Sequence, residues 1–158
     1  MRTVARRLAE AIGTGFYSGY FPIAPGTVGS AVGVAIYVVL LRLRVLSPSG
    51  LAGWLVLATV VLAAGWASAR HLERRFGLDD KHIVVDEIWG MLVAIAFLPA
   101  TAGYVVGGFL LFRFFDIVKP FPARRAERIG QGLGVMLDDG IAGVYANLVL
   151  HLAKVLLR

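Results

Sequence analysis

The chain contains no cysteine. Without thiols it cannot form disulfides or thiolate metal sites, and catalysis by a cysteine nucleophile is excluded. The chain is also poor in charge, because 16% of its 158 residues are charged against about one quarter in soluble domains. Hydrophobic residues make up 58% of the sequence. These proportions predict one domain, residues 1–158, that lies mostly in a membrane. A very apolar soluble helical bundle is the alternative.

Acidic residues are scarce. There are 10 of them against 16 Lys and Arg, so the net charge is +6. The basic residues cluster between apolar runs, and this pattern suits an anionic membrane surface or a phosphorylated lipid. No basic helix with interleaved aromatic residues is present, so we expect no nucleic-acid partner. The pattern leaves the oligomeric state open.

The apolar runs predict the secondary structure. Runs of this length can cross a bilayer as helices. The predicted spanning helices are residues 28–46, 51–69 and 140–157. Residues 1–15 predict an amphipathic helix at the interface, and the Gly, Pro, Ser and Thr residues of 15–30 predict a loop. The apolar face of the amphipathic helix comprises Val4, Leu8, Ala11 and Ile12. The predicted fold is therefore an all-α, small, largely membrane-embedded helical bundle with an N-terminal amphipathic helix.

The uncharged stretch 88–112 is interrupted by Pro99, so it predicts either one kinked span or a hairpin of two short helices. The hairpin is favoured because proline and glycine lie near the turning point and the stretch is long for one span. The hairpin also places most basic residues on one side, which the positive-inside rule makes cytoplasmic. That side holds Arg2, Arg6, Arg7, Arg70, Arg74, Arg75, Lys81, Arg113, Lys119, Arg124, Arg125 and Arg128. The other side holds Arg42, Arg44, Lys154 and Arg158.

Three acidic groups lie at the ends of apolar runs. They are Asp86 with Glu87, Asp116, and Asp138 with Asp139. Carboxylates beside hydrocarbon are costly to desolvate, which favours a functional role, although each group could simply mark a helix end. The hairpin brings all three groups to one side of the membrane. Carboxylates converging from three helices would suit Mg²⁺, a hard cation that prefers oxygen ligands.

Asp116 and Lys119 are three residues apart, so they share one face if the helix continues that far. Lys119 could then face a phosphate, or the two residues could form an ordinary surface ion pair. The sequence lacks the Pro-Ser-Gly-His segment of histidine-dependent lipid phosphatases, since Leu51 follows Gly50. It also lacks the Asp-x-Asp start of haloacid dehalogenase phosphatases.

Four segments, in this order and spacing, resemble the phosphatidylglycerophosphatase A family. They are 15–30, containing PIAPGTVGS at 22–30, then 83–91 (IVVDEIWGM), 112–122 (FRFFDIVKPFP) and 132–143 (GLGVMLDDGIAG). One departure is Gln131, where the family pattern usually has a glycine.

The resemblance implies a Mg²⁺-dependent enzyme of the bacterial inner (cytoplasmic) membrane, with its active site facing the cytoplasm. Such an enzyme converts the phospholipid phosphatidylglycerophosphate to phosphatidylglycerol and phosphate. The resemblance implies metal binding or catalysis by the five acids, with Arg113 and Lys119 beside the substrate phosphate. We expect Asp86, Glu87, Asp138 and Asp139 to be the metal ligands. Asp116 and Asp139, which sit where a polar segment meets a helix, are the expected catalytic residues together with Lys119. The hydroxyls of Thr27 and Ser30, at a glycine-rich helix start, could also bind the substrate phosphate. Attack by an aspartate and attack by activated water both stay open.

Thr27 and Ser30 have a second interpretation, because a hydroxyl there could cap the helix that follows instead of meeting a phosphate. For the whole chain, the rival function is a small cation-coupled transporter or transporter subunit, in which intramembrane acids bind the ion. The acids cluster at one interface and not at the midplane, which favours the enzyme. The CDP-alcohol phosphotransferases need an arginine and further acids after Asp139-Gly140 that this sequence lacks.

Overall fold

A computed structural model describes residues 2–78 and 80–157, without the side chains of Arg2 and Thr3. Over these residues the regular structure is helical, as predicted. The predictions for Met1, the Arg2 side chain and Arg158 lie outside the described residues. The α-helices are α1 (Arg2–Gly13), α2 (Pro25–Arg42), α3 (Leu51–Phe76), α4 (Val85–Ala94), α5 (Ala102–Val118), α6 (Ala123–Ala126) and α7 (Leu133–Leu156). Two 3₁₀ turns, Ser18–Tyr20 and Glu127–Ile129, precede α2 and α7.

Helices α2, α3 and α7 are long and apolar enough to cross a membrane. In α3 only 17% of the most apolar window is buried inside the protein. Its apolar side chains therefore point outward along much of the helix, as Leu55, Val56 and Val60 illustrate. An apolar surface of this kind is stable in lipid and not in water. The fold is that of a membrane protein, and the soluble-bundle alternative fails on this surface.

The stretch 88–112 forms two helices, which agrees with the hairpin prediction. Helix α4 ends at Ala94 and α5 begins at Ala102. The two helices are antiparallel, because Gly90 packs against Phe112 while Gly108 packs against Ile95. The start of α4 and the end of α5 consequently lie at the same end of the bundle.

Helix α4 is the centre of the core, between α2 and α7. Gly33 of α2 lies against the backbone of Ile88, and Gly143 of α7 lies against the carbonyl of Gly90. A side chain at either glycine would occupy the space of a neighbouring backbone, so small residues allow the three helices to approach closely. Buried Tyr37, Met91, Phe112 and Ala142 belong to the cluster that fills the remaining interior.

Several predicted boundaries are wrong. The first two spans end elsewhere, since α2 ends at Arg42 and not at residue 46 and α3 ends at Phe76 and not at residue 69. The last helix begins at Leu133 and not at residue 140, so the acids at its start lie within its second turn. A helix can carry these acids because they face partners inside the bundle. Helix α2 begins at Pro25, inside the predicted loop, because proline at the first helical position is pre-organised for a helix start. Its N-cap is Ala24, without a side-chain hydrogen bond, so neither Thr27 nor Ser30 caps this helix.

The amphipathic helix α1 docks on the end of α3. Val4 and Leu8 are exposed on its surface, whereas Ile12 packs against a second buried cluster that includes Leu72 and Met136. Glu10 forms an ion pair with Arg75 (2.9 Å) and accepts a hydrogen bond of 2.6 Å from the Tyr20 hydroxyl. This hydrogen bond lowers the pKa of Glu10 and raises the pKa of Tyr20 to about 12. Gly13 also accepts a hydrogen bond from the Val84 N–H (2.9 Å), which joins the end of α1 to the start of α4.

Candidate functional site

Three carboxylates converge at one end of the bundle. Asp86 and Glu87 stand in the first turn of α4, and Asp139 stands in the second turn of α7. One ligand oxygen from each residue lies within 4.8 Å of the other two. Asp86 is 6% exposed and Asp139 4%, while Glu87 is partly buried. This spacing and burial make the group a candidate metal site, and we call it the carboxylate cluster.

Two cations border the cluster. Arg113 Nη1 lies 2.7 Å from Asp116 Oδ2, and the Asp116 carboxyl lies beside Asp139. On the other flank, Lys119 Nζ lies 2.8 Å from Oδ2 of Asp138. The structure thus brings together the acids of all three predicted groups and the two predicted cations.

The condition for Asp116 and Lys119 to share one helix face is not met. Helix α5 ends at Val118, and Lys119 adopts a left-handed conformation (φ 47°) as its C-cap. The chain turns there, so the Lys119 side chain reaches across to α7 while Arg113, one turn earlier on α5, pairs with Asp116. The i,i+3 spacing rule holds only within one helix, and Lys119 lies beyond the end of α5.

The electrostatics of the cluster favour a bound cation. Glu87 Oε2 and Asp139 Oδ2 are buried, and among the described residues neither has a hydrogen-bond partner. Buried carboxylates close to each other repel when ionised, and unsatisfied buried oxygens cost free energy. A cation held between Asp86, Glu87 and Asp139 would relieve both costs, so the cluster of acidic residues could bind a metal ion.

The start of α2 closes one side of the cluster. Gly26 approaches so closely that a Cβ at this position would overlap Glu87 Oε1 and would lie 3.3 Å from Arg113 Nη1. Ser30, one turn further, is fully buried, and its hydroxyl donates to the Gly26 carbonyl (2.9 Å). The Ser30 hydroxyl is thus committed to the helix backbone, while Thr27 is partly buried. The predicted roles of Thr27 and Ser30 towards substrate stay predictions.

Sequence reasoning missed the residues that hold the start of α7. Glu73 is buried, and its Oε2 accepts a hydrogen bond of 2.6 Å from the Gly132 N–H. Trp66 Nε1 donates to the carbonyl of Gln131 (3.0 Å). Both anchors come from α3, which extends to Phe76, beyond the predicted span 51–69. The helical spacing of buried Ala69, Leu72 and Glu73 was the signal available in the sequence.

The fold and the carboxylate cluster together indicate the class of protein. Helices that can span a membrane surround a buried group of acids with two cations at its edge, which is a chemistry suited to anionic phosphate groups. The family described as phosphatidylglycerophosphatase A matches residues 11–154. The chain belongs to the phosphatidylglycerophosphatase A family. It is therefore a phosphatase, and the family gives no support to the transporter alternative.

Three relatives match over most of their length. A protein of Bacteroides thetaiotaomicron, provisionally named phosphatidylinositol-3-phosphatase, is 40% identical over 148 residues, covering 90% of this chain and 91% of the relative. The phosphatidylglycerophosphatase A of Haemophilus influenzae is 36% identical, covering 87% and 83%. That of Escherichia coli is 32% identical, covering 89% and 80%. No solved structure matches this chain significantly.

Proposed function

We propose that the protein hydrolyses the terminal phosphomonoester of phosphatidylglycerophosphate to phosphatidylglycerol and inorganic phosphate, with Mg²⁺ as its cofactor. The observation that carries the proposal is the carboxylate cluster with Arg113 and Lys119 at its edges. Water adds across the bond between phosphorus and the glycerol oxygen. That bond breaks, the phosphoryl group keeps the new oxygen, and the glycerol oxygen takes up a proton. The names of the relatives from Haemophilus influenzae and Escherichia coli support this substrate.

The donor set fits Mg²⁺. The ligands would be Asp86, Glu87 and Asp139, which offer oxygen atoms at a spacing suited to one ion. When bound, the ion would supply positive charge to the phosphoryl oxygens as a Lewis acid. Asp138, also predicted as a ligand, holds Lys119 through its Oδ2, and its role as a ligand stays a prediction.

The cations and Asp116 have separate roles in the proposal. Lys119 and Arg113 attract the anionic phosphoryl group and stabilise the charge that develops on it. Asp138 orients Lys119 and Asp116 orients Arg113, at 2.8 Å and 2.7 Å. We assign the attack on phosphorus, or the positioning of a water molecule, to Asp116 and Asp139, whose carboxyls lie side by side.

The distribution of basic residues supports a position for the carboxylate cluster in the membrane. The cluster lies at the end of the bundle where α4 begins, the end that carries most of the basic residues. We place this end at the cytoplasmic face of a bacterial inner membrane, because basic residues stay on the cytoplasmic side. A lipid could then keep its acyl chains in the bilayer while its headgroup enters the cluster.

The experiment is phosphate release by the purified protein from phosphatidylglycerophosphate in neutral detergent micelles, with Mg²⁺ or with a chelator. We expect release that requires the metal. Mn²⁺ binding followed by electron paramagnetic resonance gives a readout independent of turnover. Asp86→Asn, Glu87→Gln and Asp139→Asn should each weaken Mn²⁺ binding, and Asp80→Asn, which lies outside the cluster, should not. Phosphate release that is independent of metal and survives all three changes would contradict the proposal.

A second substrate belongs in the same assay, because the relative of highest identity among the three is named for phosphatidylinositol 3-phosphate. This lipid also carries a phosphomonoester on a headgroup joined through a phosphodiester. A kcat/KM higher for it than for phosphatidylglycerophosphate would assign the inositol lipid as the substrate.

A further inference from the structure

A basic cleft lies next to the carboxylate cluster. Its volume is about 400 Å³, and we refer to it as the basic cleft. The lining residues are Val118, Lys119, Phe121, Arg124, Arg125 and Arg128. Four of these six residues are cationic. Such a concentration of positive charge around a concave surface is suited to an anionic ligand.

The three arginines of the cleft are available to a ligand. No ion pair within the described residues includes Arg124, Arg125 or Arg128. Arg124 and Arg125 belong to α6, which is docked on α7 through buried Ala123 and Ala126, and Arg128 belongs to the 3₁₀ turn that follows. All three arginines are exposed around the cleft. Arg125 also stacks over the Phe121 ring at 4.9 Å.

Lys119 connects the cleft with the carboxylate cluster. Its ammonium lies 2.8 Å from Oδ2 of Asp138 and 3.2 Å from Oε2 of Glu127, and its side chain lines the cleft. Asp138 is the neighbour of the cluster residue Asp139 on α7, so Lys119 borders both the cleft and the cluster. A ligand with two anionic groups could bridge the two places. Val118 and Phe121, which are 46% and 69% exposed, give the cleft an apolar border. This border suits a ligand whose other end stays in the bilayer.

We propose that the basic cleft binds the phosphodiester of the lipid substrate while its terminal phosphate lies at the carboxylate cluster. The inference rests on the proposed function and adds to it a second anion-binding site, formed by the arginines of the basic cleft.

The test compares the double variant Arg124→Ala/Arg128→Ala with the wild type in neutral detergent, where the substrate is the only phospholipid. Each arginine contributes charge-assisted hydrogen bonds, so kcat/KM for phosphatidylglycerophosphate should fall about tenfold per arginine, roughly 100-fold in all. Inhibition by phosphatidylglycerol, which carries only the diester, should weaken similarly. Inhibition by inorganic phosphate, which needs only the carboxylate cluster, should be unchanged. Arg74→Ala is the control, because Arg74 is exposed on α3 and lines a different cleft.

The outcomes are distinct. A wild type that does not hydrolyse phosphatidylglycerophosphate overturns the proposed function itself. If the wild type hydrolyses this lipid and the double variant is equally active in neutral detergent, the inference is overturned. If the variant is impaired only after another anionic phospholipid is added, the cleft binds bulk lipid and not the substrate. Equal weakening of both inhibitors would mean that the arginines act only through general attraction of anions.

Discussion

The carboxylate of Glu73 accepts a hydrogen bond of 2.6 Å from the backbone N–H of Gly132, 59 residues further along the chain. The bond is buried and fixes the start of α7 against α3. Gly132 has a positive φ of 72°, and a Cβ there would overlap the backbone of Arg70. The position of the acids on α7 thus depends on a contact made by a different helix.

Replacing Glu73 tests this anchor. Glu73→Ala should lower the free energy of unfolding in detergent by about 1–3 kcal/mol, because it leaves a buried N–H without its acceptor. Glu73→Gln keeps an acceptor oxygen and should lower the free energy of unfolding by less. Arg74→Ala, at the exposed neighbouring residue, should change the free energy of unfolding by no more than about 0.5 kcal/mol. If Glu73→Ala melts like the wild type, Glu73 does not hold α7.

Lys119 should matter for both turnover and stability. Lys119→Ala should lower turnover about 100-fold, the scale of losing one group that stabilises charge in a transition state. The melting temperature should also fall, because Asp138 is only 3% exposed and loses a cation. Lys119→Arg keeps the charge and should recover most of the stability. Phosphate release is measured well below the melting temperature, with exposed Lys81→Ala as the control. Near-normal turnover of Lys119→Ala would remove Lys119 from the site.

Because Gly26 lies so close to Glu87, one added methyl group at position 26 should lower the activity. Gly26→Ala should lower turnover tenfold or more, because the added Cβ would displace the Glu87 carboxylate. Gly103→Ala is the matched control, since nothing lies within 4 Å of a Cβ there. Metal binding and turnover should fall together in Gly26→Ala. Wild-type values for both would show that Glu87 can move without consequence.

The topology can be tested in this cysteine-free chain. Single cysteines replace Ser49, Arg75 or Arg125, all of which are exposed. With the basic end of the bundle in the cytoplasm, an impermeant thiol reagent added to intact cells should label only the Ser49 position. Permeabilised cells provide the control, because all three positions should then react. Labelling of Arg75 and Arg125 but not Ser49 would place the carboxylate cluster outside the cytoplasm.

The helical class, the spanning helices and the hairpin could be predicted because they follow from the length and spacing of apolar residues. The convergence of Asp86, Asp116 and Asp139 followed from the hairpin. The partner of Lys119 could not be predicted, because it depends on the left-handed turn that ends α5. Nor could the anchor between Glu73 and Gly132, which depends on how α3 packs against a distant loop.

The tight crossing of α4 and α7 at Gly90 and Gly143 has a consequence for genetics. A Cβ at Gly90 would lie 2.7 Å from the backbone carbonyl of Asp139. A substitution at Gly90 would therefore shift the Asp139 carboxylate by displacing its backbone. A random-mutagenesis screen scored by loss of activity should therefore return these glycines together with the acids. Complementation under raised Mg²⁺ would separate the variants with weakened metal binding from those that lack the nucleophile. Displaced ligands regain metal by mass action, whereas a missing nucleophile does not.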